Sequence, residues 1–179
     1  LEDNLEDNSA GPPGVIEHWN DSIDSYIKEK TALFAGTKLA PFKIVVDPGN
    51  GCQVGVASNI LKNLGAQVTT INDRLDGTFS DRHPDCSVAD HLGDLCQAVV
   101  KKKADLGIAF DGDGDRLAVV DDTGRVIPPE QVAMILLHGS LTPRGGRAVV
   151  LDIKSTMHFD RTIKSLGGQP VRCRSGHAY

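Results

Sequence analysis

The period of the apolar positions changes along the chain, and each change marks an element. Between Val15 and Leu33, residues Ile16, Trp19, Ile23, Tyr26 and Ile27 recur near helical spacing, with Asn20 or Asp21 placed to cap. Phe42–Asp47 is a compact apolar run of strand character. Val54–Leu64 follows as a helix stopped by Gly65, a residue suited to left-handed geometry. Gln67–Ile71 supplies a second strand, which closes a βαβ unit, nearly always right-handed and parallel. Beyond a polar loop, Asn72–Cys86, the run Ser87–Asp90 has a capping-box pattern. Val88, Leu92, Leu95 and Val99 then form the stripe of a helix ending at Lys101–Lys103, whose charges complement its dipole. Leu106–Phe110 and Leu117–Asp121 read as strands. The turn Asp122-Thr123-Gly124 into Arg125–Ile127 predicts a hairpin with antiparallel pairing at one sheet edge.

A second series starts at Pro128-Pro129, which suits the first turn of a helix running to about His138. Strand Ala148–Asp152, helix Ser155–Leu166, the stop Gly167-Gly168 and strand Pro170–Cys173 follow. The expected organisation has three parts. Residues 1–41 are a polar leader and linker helix that ends a preceding domain, with Leu1–Gly14 disordered. Residues 42–127 are an α/β domain with a mixed, mainly parallel sheet flanked by helices. Residues 128–179 open a second, incomplete α/β domain. A first residue Leu1 and a polar cluster before Tyr179 suggest a fragment of a longer protein.

Composition excludes more than it selects. A net charge of −5 with 4% aromatic residues offers neither a basic footprint nor a stacking surface for nucleic acid. No apolar run approaches the ~20 residues that cross a bilayer. Cys52, Cys86, Cys96 and Cys173 form no Cys-x-x-Cys pair, so free thiols in a reducing, cytoplasmic setting are expected.

The chemistry concentrates where Leu106–Phe110 ends. Asp111, Asp113 and Asp115 alternate with glycines and are followed by Arg116. Open α/β sheets bind ligands at the carboxyl ends of their strands. Three carboxylates so close repel one another unless a cation lies among them, and oxygen-only donors favour Mg²⁺, Ca²⁺ or Mn²⁺. An EF-hand is a poor fit, because its sixth position needs glycine and holds Arg116, and strands flank the loop. A haloacid-dehalogenase-like phosphatase, with Asp111 as nucleophile and Asp113 as acid/base, is a rival. It wants threonine where Asp115 stands.

Other candidates are weaker. The turn Pro48–Gly51 is either a tight turn or a phosphate cradle ahead of a helix. Arg82, His83 and Asp85 enrich the long loop in polar groups. Lys154, with Ser155 and Thr156 at the head of a helix, and Arg174-Ser175-Gly176-His177 after the next strand could share an anionic ligand.

Taken together, Asp-Gly-Asp-Gly-Asp-Arg after Ala-Asp-Leu-Gly-Ile-Ala-Phe resembles the metal-binding loop of the α-D-phosphohexomutases of the bacterial phosphomannomutase/phosphoglucomutase type. Asp47–Gly51 and Arg82-His83-Pro84-Asp85 resemble segments of that family's second domain. Asp152-Ile153-Lys154-Ser155 and Ser175-Gly176-His177 resemble the start of its third. The resemblance implies a Mg²⁺ enzyme that moves a phosphoryl group between the 1 and 6 positions of a hexose phosphate. A phosphoserine donates the phosphoryl, and a bisphosphorylated sugar of the glucose 1,6-bisphosphate type serves as intermediate and activator. It implies Asp111, Asp113 and Asp115 as metal ligands, Arg116 at the transferring phosphoryl, and Lys154 as acid/base beside the reacting hydroxyl. Ser175, Gly176 and His177 would touch the phosphosugar. The family's serine loop, Thr-Ala-Ser-His-Asn-Pro, is not in this chain. The chain alone is therefore expected to be inactive, with the enzyme's remaining domains as partners. A non-catalytic metal-binding module is the other alternative.

Overall fold

Alternation along two strands builds the layers. The computed structural model describes residues 14–141 and 146–176. In β1 (Lys43–Asp47), Ile44 and Val46 enter one core and Val45 the other. In β3 (Leu106–Phe110), Leu106, Ile108 and Phe110 join the first core, and Ala109 the second. A helix closes each face, as expected for a parallel sheet buried on both sides. α2 (Val56–Asn63) contributes Ala57 and Leu61 to the first core. α3 (Gly93–Lys102) contributes Leu95 and Val99 to the second. Gly107 lets α3 lie close on β3, since a Cβ there would come within 2.6 Å of Val99 Cγ2.

With β2 (Gln67–Thr70), β4 (Leu117–Asp121) and β5 (Val126–Ile127), the sheet has the order β2-β1-β3-β4-β5. β1 pairs in parallel with β2 and β3, while β3–β4 is antiparallel across the acidic loop and β4–β5 is antiparallel at the edge, as the hairpin signal predicts. α1 (Ser22–Leu33) packs on α2 and buries Ile27. Beyond them, α4 (Pro129–Leu141), β6 (Ala148–Asp152), α5 (His158–Ser165) and β7 (Gln169–Cys173) form a second layer set. Its β6–β7 pair is parallel. Leu141, Leu151, Phe159 and Ile163 are its core. On the opposite face Val150 and Val171, partners in register, are 65% and 40% exposed. No helix among the described residues is long and apolar enough to cross a membrane. The leader Leu1–Pro13 and His177 lie outside the described residues.

Three helix starts depart from the pattern. Ser87–Asp90 makes no side-chain cap. The Ser87 N–H donates to Asp85 Oδ1 at 2.9 Å, and a 3₁₀ turn over Ala89–Leu92 precedes α3. A local side-chain turn has won over the helix cap. Asp21 occupies the N-cap of α1 without a side-chain bond. Helix α5 begins at His158 rather than Ser155, because Arg172 holds the carbonyls of Ile153, Ser155 and Thr156 in a turn.

Candidate metal centre

Parallel register sets the carboxyl ends of β1 and β3 side by side, with Asp47 opposite Ala109. The turn after β1 then braces the loop after β3. The Cys52 N–H donates to the Gly112 carbonyl at 3.0 Å, and a Cβ on Gly51 would come within 2.5 Å of that oxygen. The other amides of this turn are also spent. Gly49 N–H donates to Asp47 Oδ1, Asn50 N–H to the Asn72 carbonyl, and Gly51 N–H to the Pro48 carbonyl. Pro48–Gly51 is therefore a brace, and the phosphate-cradle alternative falls.

The acidic loop itself gathers its charges. Asp111, Asp113 and Asp115 each place a carboxylate oxygen within 4.8 Å of the others, Asp111 buried and the other two exposed. Burial pushes the Asp111 carboxyl up, but the Arg116 backbone N–H and guanidinium outweigh it and hold the group below its usual range. The neighbouring charge of Asp113, then burial and Asp111, push Asp115 up. Arg116 lies across the loop. Its Nε is 2.6 Å from Asp111 Oδ2 and 3.6 Å from Asp115 Oδ1, and its terminal nitrogen is 3.2 Å from Asp85 Oδ1. Among the described residues the group is three carboxylates without a nitrogen or sulfur donor, which suits a hard divalent cation, so the residues fit Mg²⁺ or Mn²⁺. Strands β3 and β4 flank the loop, which rules out an EF-hand.

Arg82, one of the polar residues of the long loop, is buried at 7% exposure. Its Nε faces Asp47 Oδ2 at 2.8 Å as an ion pair, at an angle that gives neither atom a hydrogen bond. Its two terminal nitrogens donate to the carbonyls of Phe110, at 2.7 Å, and His83, at 2.8 Å. Asp85 is tied to His83 as well, its N–H donating to His83 Nδ1 at 3.2 Å.

At the carboxyl ends of β6 and β7, Asp152 joins two predicted site residues. Its Oδ1 accepts the Lys154 N–H and the Ser175 hydroxyl, both at 2.8 Å, and these bonds hold its carboxyl below the usual range. Lys154 and Ser175 are exposed, and Gly176 has φ 120°. Lys154 sits on the turn before α5, not on the helix. Arg172 organises that turn and pairs with Asp160. Sequence spacing carries no signal for Arg82–Asp47 or for Arg172–Asp160, because each joins segments that only the folded sheet brings together.

A helix–sheet–helix layering with an all-carboxylate loop at the carboxyl edge defines an α/β protein whose acidic loop lies where open sheets of this class bind ligands. The family model for the phosphoglucomutase/phosphomannomutase alpha/beta/alpha domain II matches residues 23–124. The chain belongs to the phosphoglucomutase/phosphomannomutase family. It is 35% identical over 179 residues to a phosphomannomutase/phosphoglucomutase of Pseudomonas aeruginosa, covering 99% of this chain and 38% of the relative. To a phosphoglucomutase of Neisseria meningitidis serogroup B it is 38% identical over 171 residues, covering 96% and 36%. A crystal structure of a phosphoglucomutase/phosphomannomutase family protein from Burkholderia thailandensis superimposes with a TM-score of 0.81 at 32% identity, covering 90% of this chain and 35% of that one. The chain thus spans well under half the length of the relatives it matches.

Proposed function

We propose that this chain is the central part of a phosphohexomutase that interconverts hexose 1-phosphate and 6-phosphate through a phosphoserine and a bisphosphosugar. The carrying observation is the convergence of Asp111, Asp113 and Asp115 on one loop crossed by Arg116. Residues 42–127 form the metal-binding domain of that enzyme, and residues 128–179 open its next domain. When bound, Mg²⁺ would neutralise charge on the transferring phosphoryl group. The three aspartates hold it there. Arg116 swings from Asp111 toward the phosphoryl oxygens, where a guanidinium matches phosphate geometry. Lys154 exchanges a proton with the reacting sugar hydroxyl. Its amide tie to Asp152 and the bond from Ser175 to the same carboxylate keep Lys154 and Ser175 on one edge, and Ser175, Gly176 and His177 are the phosphosugar contacts of this reading. Positioning and charge neutralisation are most of what phosphoryl transfer asks of a protein.

In this reading the phosphoryl donor is the family's serine loop, which the given sequence does not contain. Coupled assay of the purified chain with glucose 1-phosphate and Mg²⁺ is expected to show no turnover. Grafted in place of the matching segment of the Pseudomonas aeruginosa relative, it is expected to give Mg²⁺-dependent mutase activity that Asp113→Asn abolishes. A chimera that folds and binds metal yet does not turn over would favour the non-catalytic module. The haloacid-dehalogenase alternative loses support from the family membership and from Asp111, which is buried and engaged by Arg116.

A further inference from the structure

We infer that Arg82 is a positioning residue for the metal loop, an inference that rests on the metal-binding reading of Asp111, Asp113 and Asp115. Arg82 is the point at which three loops of the carboxyl edge are joined. Through Nε it faces Asp47, the last residue of β1. Through one terminal nitrogen it holds the Phe110 carbonyl, on the residue directly before Asp111. Through the other it holds His83 in its own loop, two residues before Asp85, the partner of Arg116. A single guanidinium therefore sets where the first metal ligand leaves β3 and where the acidic partner of Arg116 stands.

The surroundings leave that guanidinium little freedom. Its side chain is 4% exposed and that of Asp47 is fully buried. A Cβ on Gly49 would come within 2.0 Å of the Arg82 terminal nitrogen, so glycine there makes the space the guanidinium fills. Asp47 Oδ1 is already used by Gly49 N–H and the Asn72 amide, which leaves Oδ2 to the arginine. A planar fork with several fixed donors can span these acceptors together, and an ammonium cannot. Lysine at this position keeps the charge against Asp47 and gives up the simultaneous hold on Phe110 and His83. Groups that orient metal ligands from behind commonly govern affinity by about 10–100-fold.

The test compares Arg82→Lys with the unchanged chain and with a core variant, Val120→Ala, matched for loss of thermal stability. Mn²⁺ binding is read by electron paramagnetic resonance, and amide hydrogen exchange is followed at Asp111, Gly114 and Arg116. These three amides are bonded within the loop. Arg82→Lys is expected to weaken Mn²⁺ binding by about tenfold or more, and to speed exchange selectively at the three amides. Val120→Ala is expected to change neither. Unaltered Mn²⁺ affinity in Arg82→Lys, or equal weakening in both variants, overturns the inference. If the unchanged chain binds no Mn²⁺, the metal reading fails by itself and exchange decides. Selective loss of protection then supports the positioning role, and uniform loss overturns it.

Discussion

Arg116 Nε stands 2.6 Å from Asp111 Oδ2, so the loop's own arginine occupies the buried carboxylate that a cation would need. Under the proposed function the two cations would compete for one set of oxygens. Removing the positive charge while leaving the Arg116 backbone N–H on Asp111 Oδ1 should free the site. Arg116→Gln is expected to tighten Mn²⁺ binding about tenfold at low salt, with the gain shrinking as ionic strength rises. In the chimera the same variant should lose most mutase activity, since the proposed function also makes Arg116 the phosphoryl contact. Titration by electron paramagnetic resonance beside a coupled assay reads both, and weaker metal binding in Arg116→Gln would refute the competition.

Repulsion within the loop gives an order reversal. Asp115 is held up in its titration chiefly by the charge of Asp113, so the metal-free loop carries unfavourable like charges at neutral pH. Asp115→Asn should melt at or slightly above the Tm of the unchanged chain without metal. At a Mn²⁺ concentration near 100 Kd of the unchanged chain, binding adds about 2.7 kcal/mol, or roughly 5–10 °C. The variant should gain much less, and the order inverts. Calorimetry with and without Mn²⁺ checks it, and an unchanged order in both conditions counts against a metal role for Asp115.

How far the sequence carried depends on the range of each interaction. Strands β1 and β3 were legible because a short apolar run is a local property, written in Ile44–Val46 and Leu106–Phe110, while the sorting of alternate residues into two cores came from the fold. The acidic loop was legible for the same reason, its three carboxylates lying two residues apart. What could not be read was long-range pairing. The burial of Arg82 could not be read from the polar loop, because nothing near it announces Asp47, 35 positions earlier. Helix starts failed where Asp85 or Arg172 offered the backbone a better partner than the helix did.

The long loop has its own pH dependence. Asp76 accepts from Ser80 Oγ at 2.6 Å, from Thr78 Oγ1 and N–H, and lies near Arg74. The Ser80 and Thr78 bonds hold its carboxyl far below the usual range. A depressed folded value means that the stabilisation is fully present above the unfolded value near 3.9 and is lost as pH falls toward the folded one. The unchanged chain should therefore exceed Asp76→Asn in stability at pH 7, with the gap narrowing below about pH 4. Urea unfolding of both across that range tests it, and a gap independent of pH would contradict the assignment.

Gly51 tests whether the brace and the metal loop are one unit. Its ordinary backbone conformation would accept alanine, so the obstacle is contact and not strain. The added methyl would meet the Gly112 carbonyl oxygen at 2.5 Å, and that oxygen already receives the Cys52 N–H. Backbone cannot swing aside as a side-chain end can, so either the turn lifts or the segment Asp111–Asp113 moves. Gly51→Ala is expected to cost about 1–3 kcal/mol by overpacking and to weaken Mn²⁺ binding at least severalfold. Gly107→Ala should lose comparable stability against Val99 and Leu95, in the core beneath, while keeping its metal affinity. Chemical unfolding and Mn²⁺ titration of the pair separate the cases, because a purely structural role for the turn would make the two variants behave alike.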